Sequence, residues 1–152
     1  MLVPFSGTEH DWAAIELAAW FARATGSPLR LLGRAADDAS EPDASHLLAG
    51  ASLLLQQIVR VPTELALIPA GPESILADAA QGALLVVGLS ERWQREGLGE
   101  TRARIASQAP CPAILLRKGL KPGGIAPTQS LTRFTWSLGD PQDPDSDTHP
   151  GV

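Results

Sequence analysis

Five short apolar runs, separated by stretches whose apolar residues recur at helical spacing, constrain this chain more than any other feature. The clearest run, Ala83 to Val87, is continuously apolar, the pattern of a strand covered on both faces. Gly88 is read as its end. Leu2 to Phe5 forms another run, stopped by the turn signal Ser6-Gly7. Leu29 to Leu32 is a weaker one. Thr63 to Ile68 alternates, with Leu65 and Leu67 on one side and Glu64 and Ala66 on the other, which predicts an edge strand with one wetter face. Ala113 to Leu116 is the last.

Helices are expected between these runs. The first extends from about Asp11 to Thr25. It carries Trp12, Ile15, Ala19 and Ala22 on one face, and Gly26 where a helix-ending glycine belongs. Leu17, Trp20 and Phe21 lie on its other side, so burial on more than one side is expected, with these aromatics in the core and not stacked on a ligand. The second, Ala44 to Val59, has Leu47, Ala51, Leu54, Leu55 and Ile58 at helical period. Gly71-Pro72 opens the third, whose apolar stripe is Ile75, Leu76, Ala79 and Ala80. Thr101 is read as the cap of a short fourth helix to about Ser107. Residues 35 to 43 are polar and read as a loop. The alternation predicts an α/β fold, a mostly parallel sheet with helices on both faces and right-handed crossovers.

Size and composition narrow the function. A chain of 152 residues suits one domain and can bury roughly 70% of its unfolded surface without a disulfide or metal. Cys111 is the single cysteine, which excludes an internal disulfide and any zinc site with two thiolates. It is read as a small buried thiol. His10, His46 and His149 are far apart, so no metal is expected. A net charge of −5 gives no reason to bind nucleic acid. No run is long enough to span a bilayer, and no signal peptide is visible, so a cytoplasmic location is expected.

Composition shifts at Gly119. Residues 119–152 hold five of the thirteen prolines and a cluster of aspartates, and are read as a tail that builds no core, beside a domain of residues 1–118. Within the tail, residues 131–138 alternate apolar with polar. This is either a short strand on its own domain or an arm that adds to a partner.

In an open parallel sheet, ligands sit beyond the carboxyl ends of the strands, where the strand order reverses. Two loops are predicted to meet there: Phe5 to Thr8, and Gly88 to Thr101. Glycines allow close approach of a phosphate, and a helix start offers free N–H groups. The candidate nucleotide or anion site is Pro4, Phe5, Ser6, Gly88, Gly97, Gly99, Thr101 and Arg102. From Gly88 to Lys121 the chain carries a local charge of +4 against −9 for the remainder, which is either an anion site or a solvated face. Ser6 has no histidine or lysine placed by sequence to activate it. His10 and Asp11 are read as polar residues of a helix start, since neighbours on a helix point apart. Trp93 is either a lid over the crevice or packing beneath its own loop.

Val3-Pro4, the strand end reaching Gly88, Leu98-Gly99, and Ala109 to Pro112 before a final apolar strand together resemble a universal stress protein domain, in order over residues 2–118. Ala18 to Leu32 is similar to that family's first helix and second strand. The resemblance implies a Rossmann-like five-stranded sheet of order 3-2-1-4-5 and a homodimer through the last strand, Ala113, Ile114, Leu115 and Leu116. It also implies a regulatory, stress-response function. The cytoplasmic part of a transporter such as a cation/proton antiporter is one setting for it. Members that bind ATP carry a glycine pattern that is degenerate here: Gly88 fits, Glu91 replaces the second glycine, Gly99 fits only with a shorter loop, and Glu100 replaces the hydroxyl. The acidic residue expected after the first strand is Ser6. Glu91 and Glu100 would repel a polyphosphate, so weak or lost ATP binding is expected and no cofactor is required. The principal reading is therefore non-enzymatic. Adenine-nucleotide (ATP or AMP) binding with slow hydrolysis is the alternative.

Overall fold

The computed structural model describes residues 1–37, 43–120 and 123–126. They form β1 (Leu2–Pro4), α1 (Glu9–Thr25), β2 (Leu29–Arg34), α2 (Ser45–Ile58), β3 (Thr63–Ile68), α3 (Pro72–Ala79), β4 (Leu85–Leu89), the single turn α4 (Trp93–Glu96), α5 (Gly99–Gln108) and β5 (Ala113–Arg117). The sheet is parallel throughout, in the order β3-β2-β1-β4-β5. Val3 lies opposite Leu31, Leu31 opposite Leu65, and Val86 opposite Ile114. The parallel sheet is what the alternation predicts, and its Rossmann-like strand order is the one the resemblance implies.

Each face of the sheet has its own core. Val3, Leu29, Leu31 and Val86 pack against Ile15, Ala18 and Ala22 of α1 and Leu48, Ala51 and Leu55 of α2. Leu2, Leu32, Leu85 and Val87 pack against Ala79 of α3 and Ile105 of α5. The alanines Ala14, Ala18, Ala19 and Ala22 are fully buried and let α1 lie close to the sheet. Thr8 caps α1, and Gly26, at φ 65°, ends it by donating its N–H to the Ala22 carbonyl.

Several local expectations are corrected. Burial of α1 is one-sided: Trp20 and Phe21 are 50% and 39% exposed, while Trp12 is in the core. α2 turns a different stripe inward, Leu48, Ala51, Ser52 and Leu55, leaving Leu47 and Ile58 exposed. Its phase is set by Gly33 of β2, where an added Cβ would lie 2.7 Å from both Ala44 Cβ and Leu48 Cδ1. β3 is the predicted edge, but Leu65 and Leu67 are its exposed side and Ala66 and Ile68 pack on the second core. Cys111 is half-buried against that core. Gly88 does not end β4. It pairs with Leu116 inside the strand, and a Cβ there would lie 2.5 Å from the His10 carbonyl oxygen. Only a glycine lets the start of α1 sit on β4 so closely.

The segment after β5 returns to α1. Lys118 Nζ meets Glu9 Oε2 at 2.5 Å, and the Gly124 N–H donates to both Glu16 carboxylate oxygens at 3.0 Å. Ile125 is 3% exposed within the first core. The reading that nothing beyond residue 118 builds core does not hold for Ile125. The rest of the tail, including residues 131–138, lies outside the described residues.

Three substitutions test this packing. Gly88→Ala should lower the unfolding free energy by about 1–3 kcal/mol, because the methyl meets backbone that cannot retreat. Gly50→Ala, in open space on α2, should raise it by about 0.5–1 kcal/mol; both are read from urea unfolding. Ile125→Ala should cost about 2–4 kcal/mol by the same measurement.

Candidate functional site

The loop after β1 is fixed by one side chain. Asp11 Oδ2 accepts hydrogen bonds from the Ser6 hydroxyl at 2.6 Å, the Ser6 N–H at 3.0 Å and the Thr8 N–H at 3.3 Å. The Asp11 N–H in turn donates to Thr8 Oγ1 at 3.3 Å, completing a capping box. Asp11 is only 6% exposed, so these donors stand in for lost water. Phe5 and Trp12 brace the same corner edge to face, 5.0 Å apart at 81°.

This loop forms one wall of a cavity of about 500 Å³ beyond the carboxyl ends of the first four strands. Pro4, Phe5 and Ser6 supply the β1 side, Leu32, Gly33 and Arg34 the β2 side, and Ile68 to Gly71 the end of β3. Val87, Ile75 and Ile105 make the apolar floor on the other side of the sheet, and Asp43, Ala44 and Leu47 close the α2 side. Thr101 and Arg102 of α5 complete it.

Of the residues chosen from sequence, Pro4, Phe5, Ser6, Thr101 and Arg102 line this cavity, whereas Gly88, Gly97 and Gly99 do not. Gly88 is filled against α1, although its carbonyl accepts from Arg102 Nε at 2.7 Å. Gly97, between α4 and α5, and Gly99, the first residue of α5, stand in open space at φ 74° and 73°. The glycine loop therefore makes no backbone cradle over the cavity. Thr101 is not a cap; α5 begins at Gly99, which puts Thr101 in its first turn and on the cavity wall. Trp93 is half-buried in α4 and is not part of the wall, so the lid reading does not describe this structure.

The charges also sit differently from expectation. Glu91 and Glu100 are exposed and off the cavity; among the described residues the carboxylates on its wall are Asp11 and Asp43. Hydrogen bonds from Ser45 hold Asp43 below the usual carboxylate range, so it stays ionised there. The basic residues after Gly88 are dispersed. Arg92 faces Glu96 at 3.7 Å, Arg104 pairs with Glu73, and Lys118 pairs with Glu9. Lys121 lies outside the described residues. The hydrogen bond from Lys118, and then its charge, hold Glu9 below its ordinary value of 4.5. This support for the strap is full above about 4.5 and is lost as pH falls through the lowered value.

Sequence reasoning missed Asp11, Arg34, Asp43, Leu47 and the Ile68–Gly71 turn as wall residues. Only Asp11 had a readable signal: Thr8 followed three residues later by a carboxylate is a helix-start signature. Asp11→Ala should release three donors and cost about 1–2 kcal/mol, seen as a lower thermal midpoint, while Glu100→Ala should change it by less than about 0.5 kcal/mol.

Among the described residues no helix is long and apolar enough to cross a membrane. No protein-family model matches the chain, and no curated protein matches it. Solved structures do. A universal stress protein from Archaeoglobus fulgidus superposes with a TM-score of 0.61 at 20% identity, over 75% of this chain and 95% of that one. A universal stress protein from Lactobacillus plantarum gives 0.59 at 23% identity, over 76% and 95%. A universal stress protein in complex with cAMP gives 0.59 at 19% identity, over 78% and 96%. With its strand order, its two-sided core and its cavity at the reversal of the sheet, the chain has the fold of the universal stress proteins.

Proposed function

We propose that this chain is a non-enzymatic regulatory domain of the stress-response type, which works through contact with a second copy or a partner protein and whose cavity takes an adenine nucleotide with a single phosphate. The observation that carries it is the preformed cavity of about 500 Å³ at the switch point of the sheet, apolar at its floor with polar groups at its rim. A structure of the same fold in complex with cAMP supports the choice of ligand class. On the described wall Arg34 and Arg102 stand against Asp43 and Asp11, which leaves no net positive charge to hold further phosphates. The Ser6 hydroxyl donates to Asp11, whose same oxygen also holds the Ser6 and Thr8 amides, so the pair orients a loop and does not make a nucleophile.

The partner surface in this reading is β5. Its apolar residues Ala113 to Leu116 are half-buried and form one edge of the sheet, which a second β5 would cover. As a free cytoplasmic protein or as the regulatory part of a transporter such as a cation/proton antiporter, the domain would act by the same contact.

Calorimetric titration checks the ligand. AMP or cAMP should bind at least ~10-fold more tightly than ATP. Equal or tighter ATP binding removes the single-phosphate reading, ATP turnover removes the non-enzymatic one, and no heat with any of the three removes the nucleotide. Thr101→Asp, on the wall, should weaken AMP at least ~10-fold. Light scattering checks the contact: the unsubstituted chain should be a dimer and Leu115→Lys a monomer with an unchanged circular dichroism spectrum.

A further inference from the structure

The two ends of the cavity differ in charge. At the β4 end, Arg102 and the free N–H groups in the first turn of α5 supply positive potential. At the β2 end, Arg34 is already joined to Asp37, and Asp43 adds a second carboxylate. Among the described residues that end is therefore net negative. β4 and β2 flank β1 and so lie ~10 Å apart, which separates a phosphate at one end from a base at the other.

Of the two wall carboxylates, Asp43 is the one with capacity to spare. Asp11 is 6% exposed, and its Oδ2 already accepts from the Ser6 hydroxyl and from the Ser6 and Thr8 amides. Asp43 is exposed, and its Oδ1 accepts from the N–H of Ser45, the first residue of α2, at 2.9 Å. The hydrogen bonds from Ser45 keep it ionised, and an ionised carboxylate offers acceptor sites alone. Those that Ser45 leaves open suit an N–H donor and repel a phosphate. Leu47 and Ile68, on the same wall, give the faces of a ring an apolar bed.

Taking the guest to be the adenine nucleotide proposed, we infer that Asp43 is the residue that selects the base: its carboxylate accepts an N–H of the 6-amino group while the phosphate lies toward Arg102. A purine without that amine turns a C–H toward the carboxylate and strips it of water without giving it a partner. A hydrogen bond to a charged group is worth ~10-fold or more in affinity, so one donor on the ring decides between two purines of nearly the same shape. The selection is made by the residue just ahead of α2, in a segment without a motif, and not by the glycine loop after β4.

Calorimetric titration of the full chain with AMP and with purine riboside 5′-monophosphate, which lacks only the 6-amino group, tests this. AMP should bind at least ~5-fold more tightly than the analogue. In Asp43→Asn the side-chain oxygen still accepts from the Ser45 N–H, so α2 keeps its start, and the two ligands should bind within ~2-fold of each other. An unchanged circular dichroism spectrum checks that fold. A second measurement needs no variant: in proton NMR the 6-amino protons of AMP bound to the unsubstituted chain should move downfield, as hydrogen-bonded protons do. Equal binding of the two ligands by the unsubstituted chain, a preference that survives Asp43→Asn, or amino protons at their free-nucleotide position each overturns the role of Asp43 and leaves the nucleotide reading standing. No binding of either ligand removes the nucleotide reading, and the role of Asp43 with it.

Discussion

One carboxylate oxygen, Asp11 Oδ2, organises the whole upper rim of the sheet. It gathers the amide and hydroxyl of Ser6 and the amide of Thr8, which turns the chain out of β1 and aims it into α1. The start of α1 can then press on β4, because Gly88 leaves room for the His10 carbonyl. Gly88 in turn offers its own carbonyl to Arg102, which draws α5 onto the other face. A chain of close contacts, polar at both ends and steric at Gly88, therefore runs from the loop after β1 to the far wall of the cavity.

The parallel α/β architecture was readable because it follows from periodicity and from chirality, whereas the strand order came from the resemblance. A continuous apolar run such as Leu85–Val87 must be covered on both faces, and parallel strands must be joined by right-handed crossovers. Helix phase was not readable where too many apolar residues compete. α2 offers leucines on most of its surface, and the contact of Leu48 with Gly33, far away in sequence order, selects the stripe. The same excess misplaced Trp20 and Phe21, which composition assigns to the interior and topology leaves outside. On β3 the alternation was right, but which side would be the wetter one was not readable: Leu65 and Leu67 are the exposed pair.

The cavity was half legible. Strand order places Pro4 to Ser6 and the start of α5 on opposite walls, and those residues came from sequence. Its remaining wall comes from segments without a motif, the Ile68–Gly71 turn and the beginning of α2, whose positions depend on packing. The glycines between Gly88 and Gly99 mattered for reasons of shape: one is an imprint of α1, and the others turn the chain from α4 into α5.

Gly33 touches both the α2 packing and the cavity wall, and that double position has a mechanical consequence. Asp43, Ala44 and Leu47 belong to the wall and move with α2, so the point where Leu48 rests on Gly33 behaves as a fulcrum. The room available to a guest therefore depends on how closely α2 lies on β2, and a methyl group added at residue 33 would have to push α2 outward and widen the aperture.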